Sequence, residues 1–237
     1  MLKIENLTKY YGGKAAVDHL NIHIRPGEIY GFIGHNGAGK TTTLKSVAGI
    51  LPYDQGEIFI NGISAKQNPT DVKKCMAYIP DNPDLYDFMT GIQFLNFVAD
   101  IYQVSQSDRE SRILKYGDMF EITENLGQPL SSYSHGMKQK LAIMSALVHN
   151  PKLILMDEPF VGLDPVAAHL LKQTMREICD DGGAIFFSTH VLEVAEKLCD
   201  KVAIIKNGQL IKSGTMEEVK GDASLEEVFL ELELENN

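Results

Sequence analysis

The chain has 237 residues, 44% of them apolar, and a formal net charge of −10. This size and composition suit one large globular domain, or a domain that carries an inserted lobe. The acidic balance disfavours a general nucleic-acid binder, because binding to phosphates normally requires a basic face. No apolar run approaches the roughly 18–20 residues of a membrane span, and the first residues, MLKIENLTKY, lack the apolar core of a signal peptide. We therefore expect a cytosolic protein.

The first part of the sequence predicts strands on either side of one helix. Apolar and polar residues alternate over 20–25, with the two-residue period of a half-buried strand. After a Pro-Gly turn, the stretch 28–33 predicts a central strand, and 57–63, with its Asn-Gly turn, predicts a shorter one. Between these strands, apolar residues over 44–48 have helical spacing, and Gly49 is suited to end a helix.

The rest of the chain returns to strands after a helical middle. From about residue 90 to 148 the apolar period is mostly helical. Further elements are predicted as strands at 153–156, 184–188, 202–205 and 209–213, and as helices from Asp164 and at 191–200. Asp164 is a good N-cap, and Pro165 suits the first helical position. Strand–helix alternation at both ends, interrupted by helices, predicts an α/β fold with a parallel-sheet core and a helical insertion.

The last residues, 224–237, carry much of the acidic charge of the chain. Their apolar positions Leu225, Val228 and Phe229 have helical spacing. We therefore favour a terminal helix that docks these three side chains on the fold over a dedicated interaction tail.

One glycine-rich stretch, GHNGAGKTTT, follows a predicted strand and precedes a predicted helix. It fits the pattern G-x-x-x-x-G-K-[S/T], in which backbone N–H groups and a helix N-terminus surround an anion. Lys40 would neutralise the β- and γ-phosphates of a nucleotide, and the Thr41 hydroxyl would ligate Mg²⁺. A chance match is expected in about one chain of this length in a hundred, so an ordinary flexible turn is disfavoured. The predicted nucleotide-binding residues are Gly34, His35, Asn36, Gly37, Ala38, Gly39, Lys40, Thr41 and Thr42.

A second motif, LILMDEP at 153–159, is an apolar strand that ends in two carboxylates. Asp157 would hold the hydration shell of Mg²⁺, and Glu158 would orient and deprotonate an attacking water. On its own the motif is also compatible with a charged strand end that Pro159 terminates. Downstream of a phosphate-binding loop, the catalytic interpretation is favoured.

A third stretch, SYSHGMKQKLAIMSAL at 132–147, lies between these motifs. Ser134 would N-cap a helix whose N-terminal N–H groups and cap hydroxyl form a second anion-binding end. An ordinary capped helix is an equally good interpretation of this stretch alone. The stretch resembles the LSGGQ signature of ABC transporter ATPases, in a YSHGM variant that runs from Tyr133 to Met137. The resemblance implies that Ser134 and Gly136 contact nucleotide.

Further segments follow the order of that family. Tyr11 precedes a Gly-Gly pair, where these ATPases place an aromatic residue that stacks on adenine. The stretch 162–164 resembles the D-loop, and His190 follows a predicted strand, where the family keeps its switch histidine. The resemblance covers residues from 1 to about 215, and the chain is identified from it as similar to ABC transporter ATP-binding subunits.

The resemblance implies a P-loop NTPase (RecA-like) parallel-sheet core with an N-terminal antiparallel β subdomain and an inserted α-helical subdomain. We expect a single ABC ATPase domain over 1–237. Residues 1–82 and 150–215 would form the β subdomain and P-loop core. Residues 83–149 would form the helical subdomain with the signature, and 216–237 a C-terminal helical tail.

The resemblance also implies an ATPase cycle with ATP and Mg²⁺ as cofactors. Each ATP would lie between the P-loop of one copy and Ser134–Gly136 of a second copy, in a head-to-tail dimer, here expected to be a homodimer. A separate integral membrane permease would turn the closing motion into transport and hold the chain at the inner face of the cell membrane. The implied catalytic residues are Lys40, Glu158 and His190, and the implied metal ligands are Thr41, Asp81 and Asp157.

Asp81 departs from the family pattern, which usually has a glutamine after this strand. A carboxylate is also a good ligand for Mg²⁺, so coordination is expected to survive, whereas the timing of hydrolysis is open. Asp81, the segment LYDFMTG at 85–91 and the YSHGMKQ signature together resemble the subgroup that pairs with ABC-2-type permeases, which are often exporters of drugs, peptides or polysaccharides. Export is therefore the expected direction.

Two other classes of function were weighed against transport. Soluble ABC-type ATPases that act on ribosomes or DNA usually carry two cassettes or long coiled coils, and this sequence shows neither. A P-loop kinase would give the YSHGM helix no role. We favour a transport ATPase with a membrane partner and no nucleic-acid partner.

Overall fold

Two β-sheets of different character organise the chain, and the computed structural model describes them over residues 1–234. The first sheet is antiparallel. Its strands are β1 (Leu2–Tyr11), β2 (Lys14–Ile24), β4 (Gln55–Ile60) and β5 (Ile63–Ser64). They lie in the order β2-β1-β4-β5, so the longest two strands form a hairpin at one side.

The second sheet is parallel except at one edge. Its strands are β3 (Ile29–Ile33), β6 (Met76–Ile79), β7 (Leu153–Asp157), β8 (Ala184–Thr189), β9 (Lys201–Lys206) and β10 (Gln209–Thr215). They lie in the order β10-β9-β3-β8-β7-β6, and β9 and β10 form the antiparallel pair. Ile33 pairs with Thr189, and Asp157 with Ser188, so β3, β7 and β8 end at one edge. Whatever follows these three strands is therefore brought together, as at the ligand-binding edge of other parallel sheets.

Helices cover the sheets and fill the connections. They are α1 (Lys40–Val47), α2 (Pro69–Lys74), α3 (Gly91–Ile101), α4 (Gln106–Met119), α5 (His135–Leu147), α6 (Pro165–Asp180), α7 (Leu192–Leu198), α8 (Met216–Lys220) and α9 (Leu225–Leu234). Helices α3, α4 and α5 are inserted between β6 and β7 and contact one another. No helix within residues 1–234 combines the length and apolar character needed to cross a bilayer.

The second sheet carries an apolar layer on each face, because its strands are buried on both sides. On one face Phe32 and Phe186 join a core shared with the antiparallel sheet and α1. On the other face Ile33 and Phe187 join a core shared with α3, α5 and α6. The strand ends that carry the sequence motifs are thus fixed from both sides.

The structure confirms the predicted α/β class, with its parallel core, antiparallel sheet and helical insertion. Asp164 caps α6 by accepting a hydrogen bond from the Ala167 N–H at 2.9 Å. The Asn-Gly turn predicted within 57–63 is confirmed: β4 ends at Ile60, and Asn61 and Gly62, both with positive φ, turn the chain into the short β5.

The C-terminal tail forms the predicted docked helix. Leu225, Val228 and Phe229 are all buried in the second core, which decides against a free interaction tail in this part of the chain. Residues 235–237 of the predicted tail lie outside the described residues.

Candidate nucleotide site

The glycine-rich loop runs from the end of β3 to the start of α1. Gly39 has φ of 111°, and a β-carbon there would lie 2.4 Å from the Ala16 carbonyl oxygen. A β-carbon at Gly34 would lie 2.4 Å from the Ile205 carbonyl oxygen. The loop therefore packs closely on β2 and β9 at positions that only glycine tolerates. Helix α1 has no side-chain cap, so its first N–H groups lack that acceptor and suit an anion.

Lys40 places a positive charge inside this loop. Its ammonium donates to the Gly34 carbonyl oxygen at 2.5 Å and to the His35 carbonyl oxygen at 3.2 Å. The side chain is only 6% exposed, and its Nζ lies 3.8 Å from Oε1 of Glu158. Burial lowers the pKa of Lys40, while the charges of Glu158 and Asp157 oppose that shift. The loop thus holds a sheltered cation next to the carboxylates of β7.

Asp157 ends β7 with one carboxylate oxygen fixed and the other without a partner. Oδ1 accepts a hydrogen bond from the Ser188 hydroxyl at 2.5 Å. Oδ2 is buried and has no hydrogen-bond partner among the described residues. A buried acceptor left unsatisfied is costly, so this oxygen calls for a water or a cation.

Glu158 has an unusual backbone that aims its side chain into the same region. Its φ is 48°, a left-handed conformation that is uncommon outside glycine, and its N–H donates to Ser188 Oγ at 3.0 Å. Its Oε2 lies 2.9 Å from Nδ1 of His190. The Glu158 carboxylate therefore stands between the Lys40 ammonium and the His190 ring.

A cavity of about 200 Å³ lies between the loop, Lys40 and the carboxylates of Asp157 and Glu158, and His190 is outside the lining that the described residues form. Its lining residues are Ala16, His35, Asn36, Gly37, Gly39, Lys40, Thr41, Thr42, Asp81, Asp157 and Glu158. The structure thus brings most of the predicted loop together with the three predicted metal ligands. Ala16 was not predicted, because no motif marks it and only the packing of β2 on the loop places it there. Gly34 and Ala38 support the loop without being part of the lining.

The donor set of the cavity fits Mg²⁺. Thr41, Asp81 and Asp157 offer the hard oxygen ligands that this ion prefers. Within residues 1–234 there is no group of three or more His, Cys, Asp or Glu side chains arranged to hold a metal. Mg²⁺ often binds through one or two carboxylates together with water and substrate phosphates, so these residues suit a metal that arrives with a nucleotide.

Besides Gly34 and Ala38, three more predicted nucleotide contacts lie outside this cavity. Tyr11 is 51% exposed near the β1–β2 turn, with the Lys9 ammonium 5.6 Å from its ring centroid. Ser134 caps α5, accepting from the Met137 N–H at 3.3 Å. Neither Tyr11, Ser134 nor Gly136 is part of the cavity lining that the described residues form.

The start of α5 packs instead on the loop that follows β7. A β-carbon at Gly162 would lie 2.5 Å from the His135 ring, and one at Gly136 would lie 2.8 Å from the Gly162 carbonyl oxygen. Lys140 pairs with Asp164 at 2.8 Å. The hydrogen bond from the Ala167 N–H, together with Lys140, holds the pKa of Asp164 at about 2. The start of α5 and this loop are therefore packed closely on each other, away from the P-loop cavity.

Comparisons with known proteins identify the family of the chain. A family model described as "ABC transporter" matches residues 17–161, which is more than half of the chain. The ABC-type transporter ATP-binding protein EcsA of Bacillus subtilis (strain 168) is 34% identical over 241 aligned positions, covering 100% of this chain and 98% of that protein. The bacitracin transport ATP-binding protein BcrA of Bacillus licheniformis is 34% identical, covering 93% of this chain and 71% of that protein.

A solved structure described as an ATP-binding subunit of an ABC transporter superimposes with a TM-score of 0.94 at 34% identity, covering 98% of this chain and 99% of that one. The chain therefore belongs to the ABC transporter family, as an ATP-binding subunit that hydrolyses ATP to energise a transporter.

Proposed function

We propose that the chain hydrolyses MgATP between two of its own copies and drives export through a separate integral membrane permease of the ABC-2 type. The observation that supports the proposal most directly is a set of side-chain contacts at the ends of β3, β7 and β8. There the Glu158 carboxylate lies 3.8 Å from the Lys40 ammonium and 2.9 Å from the His190 ring nitrogen. This arrangement sets a phosphate-binding cation, a base and the group that orients the base within one small volume.

Each residue of the cavity has a separate task in hydrolysis. The backbone of loop 34–39 and Lys40 bind the β- and γ-phosphates. Glu158 orients the attacking water and takes its proton, and His190 holds the Glu158 carboxylate in place. Thr41, Asp81 and Asp157 would hold Mg²⁺, which supplies neutralising charge to the phosphates when bound.

A second copy would complete the site. The capped N-terminus of α5, with Ser134 and Gly136, suits an anion but lies off the P-loop cavity of its own chain. In a head-to-tail homodimer it would face the triphosphate held by the partner. The exposed Tyr11 ring is free to stack on adenine. ATP then joins the two copies, and its cleavage lets them separate.

The segment after Asp81 supports a membrane partner. Tyr86, Phe88, Phe94 and Phe97 form an aromatic patch, with ring centroids about 6 Å apart, in which Phe88 is 84% exposed. Exposed aromatic patches mark interaction surfaces. Beside the patch, Asp87 pairs with Lys138 of α5 at 2.8 Å. A permease docked on the aromatic patch would therefore sense the position of the signature helix, and would hold the chain at the inner face of the membrane.

The direction of transport is proposed from resemblance. The relative named for bacitracin transport supports a subgroup that moves peptides or drugs. Asp81 and the YSHGM signature point to the same subgroup. Cargo selection would lie in the permease.

The test uses Glu158→Gln in the full chain, with Glu193→Gln on the exposed face of α7 as a control for charge removal. We expect E158Q to bind ATP normally and to lose about 10²–10⁴-fold in turnover, because the base is gone. E193Q should match the unmodified chain. Turnover of E158Q equal to that of the unmodified chain would refute the assignment of the base.

A purification from detergent-solubilised membranes separates the transporter from its rivals. A co-purifying multi-spanning protein supports the permease. Association with ribosomes or DNA would instead support a soluble ATPase. Phosphate transfer that requires a small-molecule acceptor would support a kinase.

A further inference from the structure

The C-terminal helix α9 lies beside the nucleotide loop, in a position that the family motifs do not explain. Phe229 of α9 is buried, and its ring meets the His35 ring edge-on, with centroids 5.0 Å apart at an interplanar angle of 66°. His35 is the second residue of the loop that surrounds the phosphate site. The tail of the chain therefore contacts the P-loop through an aromatic pair.

A carboxylate of the same helix holds the other end of the His35 ring. Oε2 of Glu233 lies 3.3 Å from His35 Nε2 and 3.3 Å from the Lys206 ammonium. Lys206 also donates to the Glu233 carbonyl oxygen at 2.9 Å. Lys206 ends β9, the strand on which the P-loop packs. The sheet thus fixes Glu233, and Glu233 in turn fixes His35.

The start of α9 is fastened to the element that follows His190. The Leu225 N–H donates to Glu196 of α7 at 3.1 Å, and Lys220 pairs with the same carboxylate at 2.8 Å. A cavity of about 260 Å³ separates the loop residues 34–36 from His190, and Phe229 closes it. One helix therefore touches the P-loop at one end and the His190 segment at the other.

We propose that α9 is a positioning element of the ATPase site, in which Phe229 and Glu233 hold the His35 ring and, through it, the P-loop. Neither residue touches the phosphate cavity, so their effect passes through His35. Fixing a loop before a ligand arrives lowers the entropy lost on binding and so raises affinity. The inference rests on ATP binding at the P-loop and adds two residues that the motifs leave out.

The effect of Glu233 is expected to be moderate. The His35 side chain is 62% exposed, so water competes with the contact, and pairs of this kind contribute little each. Phe229 contributes more, but its removal also opens the core beneath α9. Glu233 is therefore the sharper probe, since its side chain is only 18% exposed but is not part of the buried apolar core that Phe229 joins.

The test measures ATP affinity with a fluorescent ATP analogue, together with KM, kcat and thermal stability, in the full chain. Glu233→Ala should weaken nucleotide binding and raise KM by about two- to fivefold, with kcat nearly unchanged. Glu231→Ala, an exposed glutamate on the same helix, is the matched control and should change neither quantity. Glu233→Gln should restore part of the affinity, because its amide oxygen can still accept from His35.

A double-variant cycle with His35→Ala separates positioning from simple structural support. If Glu233 acts through His35, E233A should have no further effect on affinity in the H35A chain. An equal loss in both backgrounds, or an E233A affinity equal to that of E231A, would overturn the inference. Tighter binding by E233A would also overturn it, since α9 would then restrain the loop against ATP. Failure of the unmodified chain to bind ATP would instead refute the proposed function itself.

Discussion

The two anion-binding ends of this chain differ in how far a single copy completes them. At the ends of β3, β7 and β8, the P-loop, Asp157, Glu158 and His190 are held together by sheet register and side-chain contacts. At the start of α5, Ser134 caps a helix whose neighbour is the loop around Gly162 rather than a nucleotide cavity. The first end joins the phosphate-binding loop and the carboxylates within one copy, whereas the second lies off that cavity. On the proposed function, one copy would bind ATP and two would be needed to hydrolyse it.

The largest effect on turnover is expected from a substitution at Ser134 that alters the N-terminal end of α5 without unfolding the helix. Ser134→Asp keeps an N-cap of equal quality but directs a negative charge at the triphosphate of the partner. We expect steady-state turnover to fall at least about 10²-fold, as when one oxyanion-stabilising donor is lost, while ATP affinity of a single copy changes less than about twofold.

The control is Ser134→Ala, which loses the cap and the hydroxyl but adds no charge. Its turnover should lie between those of S134D and the unmodified chain, and its stability should fall by about 1 kcal/mol. If S134D lost ATP affinity and turnover equally, Ser134 would belong to the same cavity as the P-loop of its own chain, and the two ends would not be separate.

A second large effect is expected at the complete site. Lys40→Ala removes the buried cation, and ATP affinity should fall by about 10–100-fold, the range for losing a hydrogen bond to a charged group. Isothermal titration calorimetry with ATP, on K40A and on the unmodified chain, measures this affinity directly. Lys45→Ala, in the last turn of the same helix, serves as the control and should leave affinity unchanged. Normal ATP affinity in K40A would show that the Lys40 ammonium does not bind the phosphates.

A smaller effect is expected at the aromatic patch, which concerns the partner rather than the nucleotide. Phe88→Ala should leave basal ATPase activity unchanged and weaken association with the permease by about tenfold, as for an exposed aromatic anchor. Ile101→Ala, an exposed apolar residue at the end of α3, is the matched control. Loss of basal activity in F88A would place the patch in the catalytic unit.

A different kind of effect, on stability rather than on activity or binding, is expected at the junction between the helical insertion and the sheet. His149 stacks on Tyr102, the C-cap of α3, with centroids 3.6 Å apart, and its Nε2 lies 3.2 Å from the Met76 carbonyl oxygen of β6. Burial lowers the pKa of His149 to about 4, below its unfolded value of 6.5. The unfolded chain therefore takes up the proton first, so this part of the stability is present above pH 6.5 and is lost as the pH falls toward 4.

Chemical denaturation between pH 7 and pH 4.5 tests this linkage. We expect protonation of His149 to lower the free energy of unfolding by on the order of 2 kcal/mol between pH 7 and pH 4.5. In His149→Phe, the free energy of unfolding should depend less on pH. An unchanged pH profile in H149F would exclude His149 as the group that titrates.

The sequence predicted the parts of the site that are local in the chain. The P-loop, the LILMDEP strand and the caps at Ser134 and Asp164 each combine a motif with a fixed backbone geometry, so their chemistry follows from adjacent residues. The approach of Ala16 to the loop could not be predicted in this way, because it depends on how β2 packs on the turn between β9 and β10.

The spacing of apolar residues is the only feature of the sequence that predicts any contact of α9. That spacing predicted the burial of Phe229, but the position of Glu233 next to His35 depends on the end of β9, which supplies Lys206. The positions of Tyr11 and of Ser134 away from the cavity also follow from tertiary structure, and their roles in nucleotide binding stay predictions.

The most direct test of the account is the oligomeric state of E158Q at saturating MgATP, measured by light scattering with and without S134D in the same chain. We predict that E158Q with ATP has twice the 26.3 kDa mass of one chain, and that the double variant E158Q/S134D with ATP has the mass of one chain. A mass of one chain for E158Q at every ATP concentration would contradict the claim that two copies enclose the nucleotide.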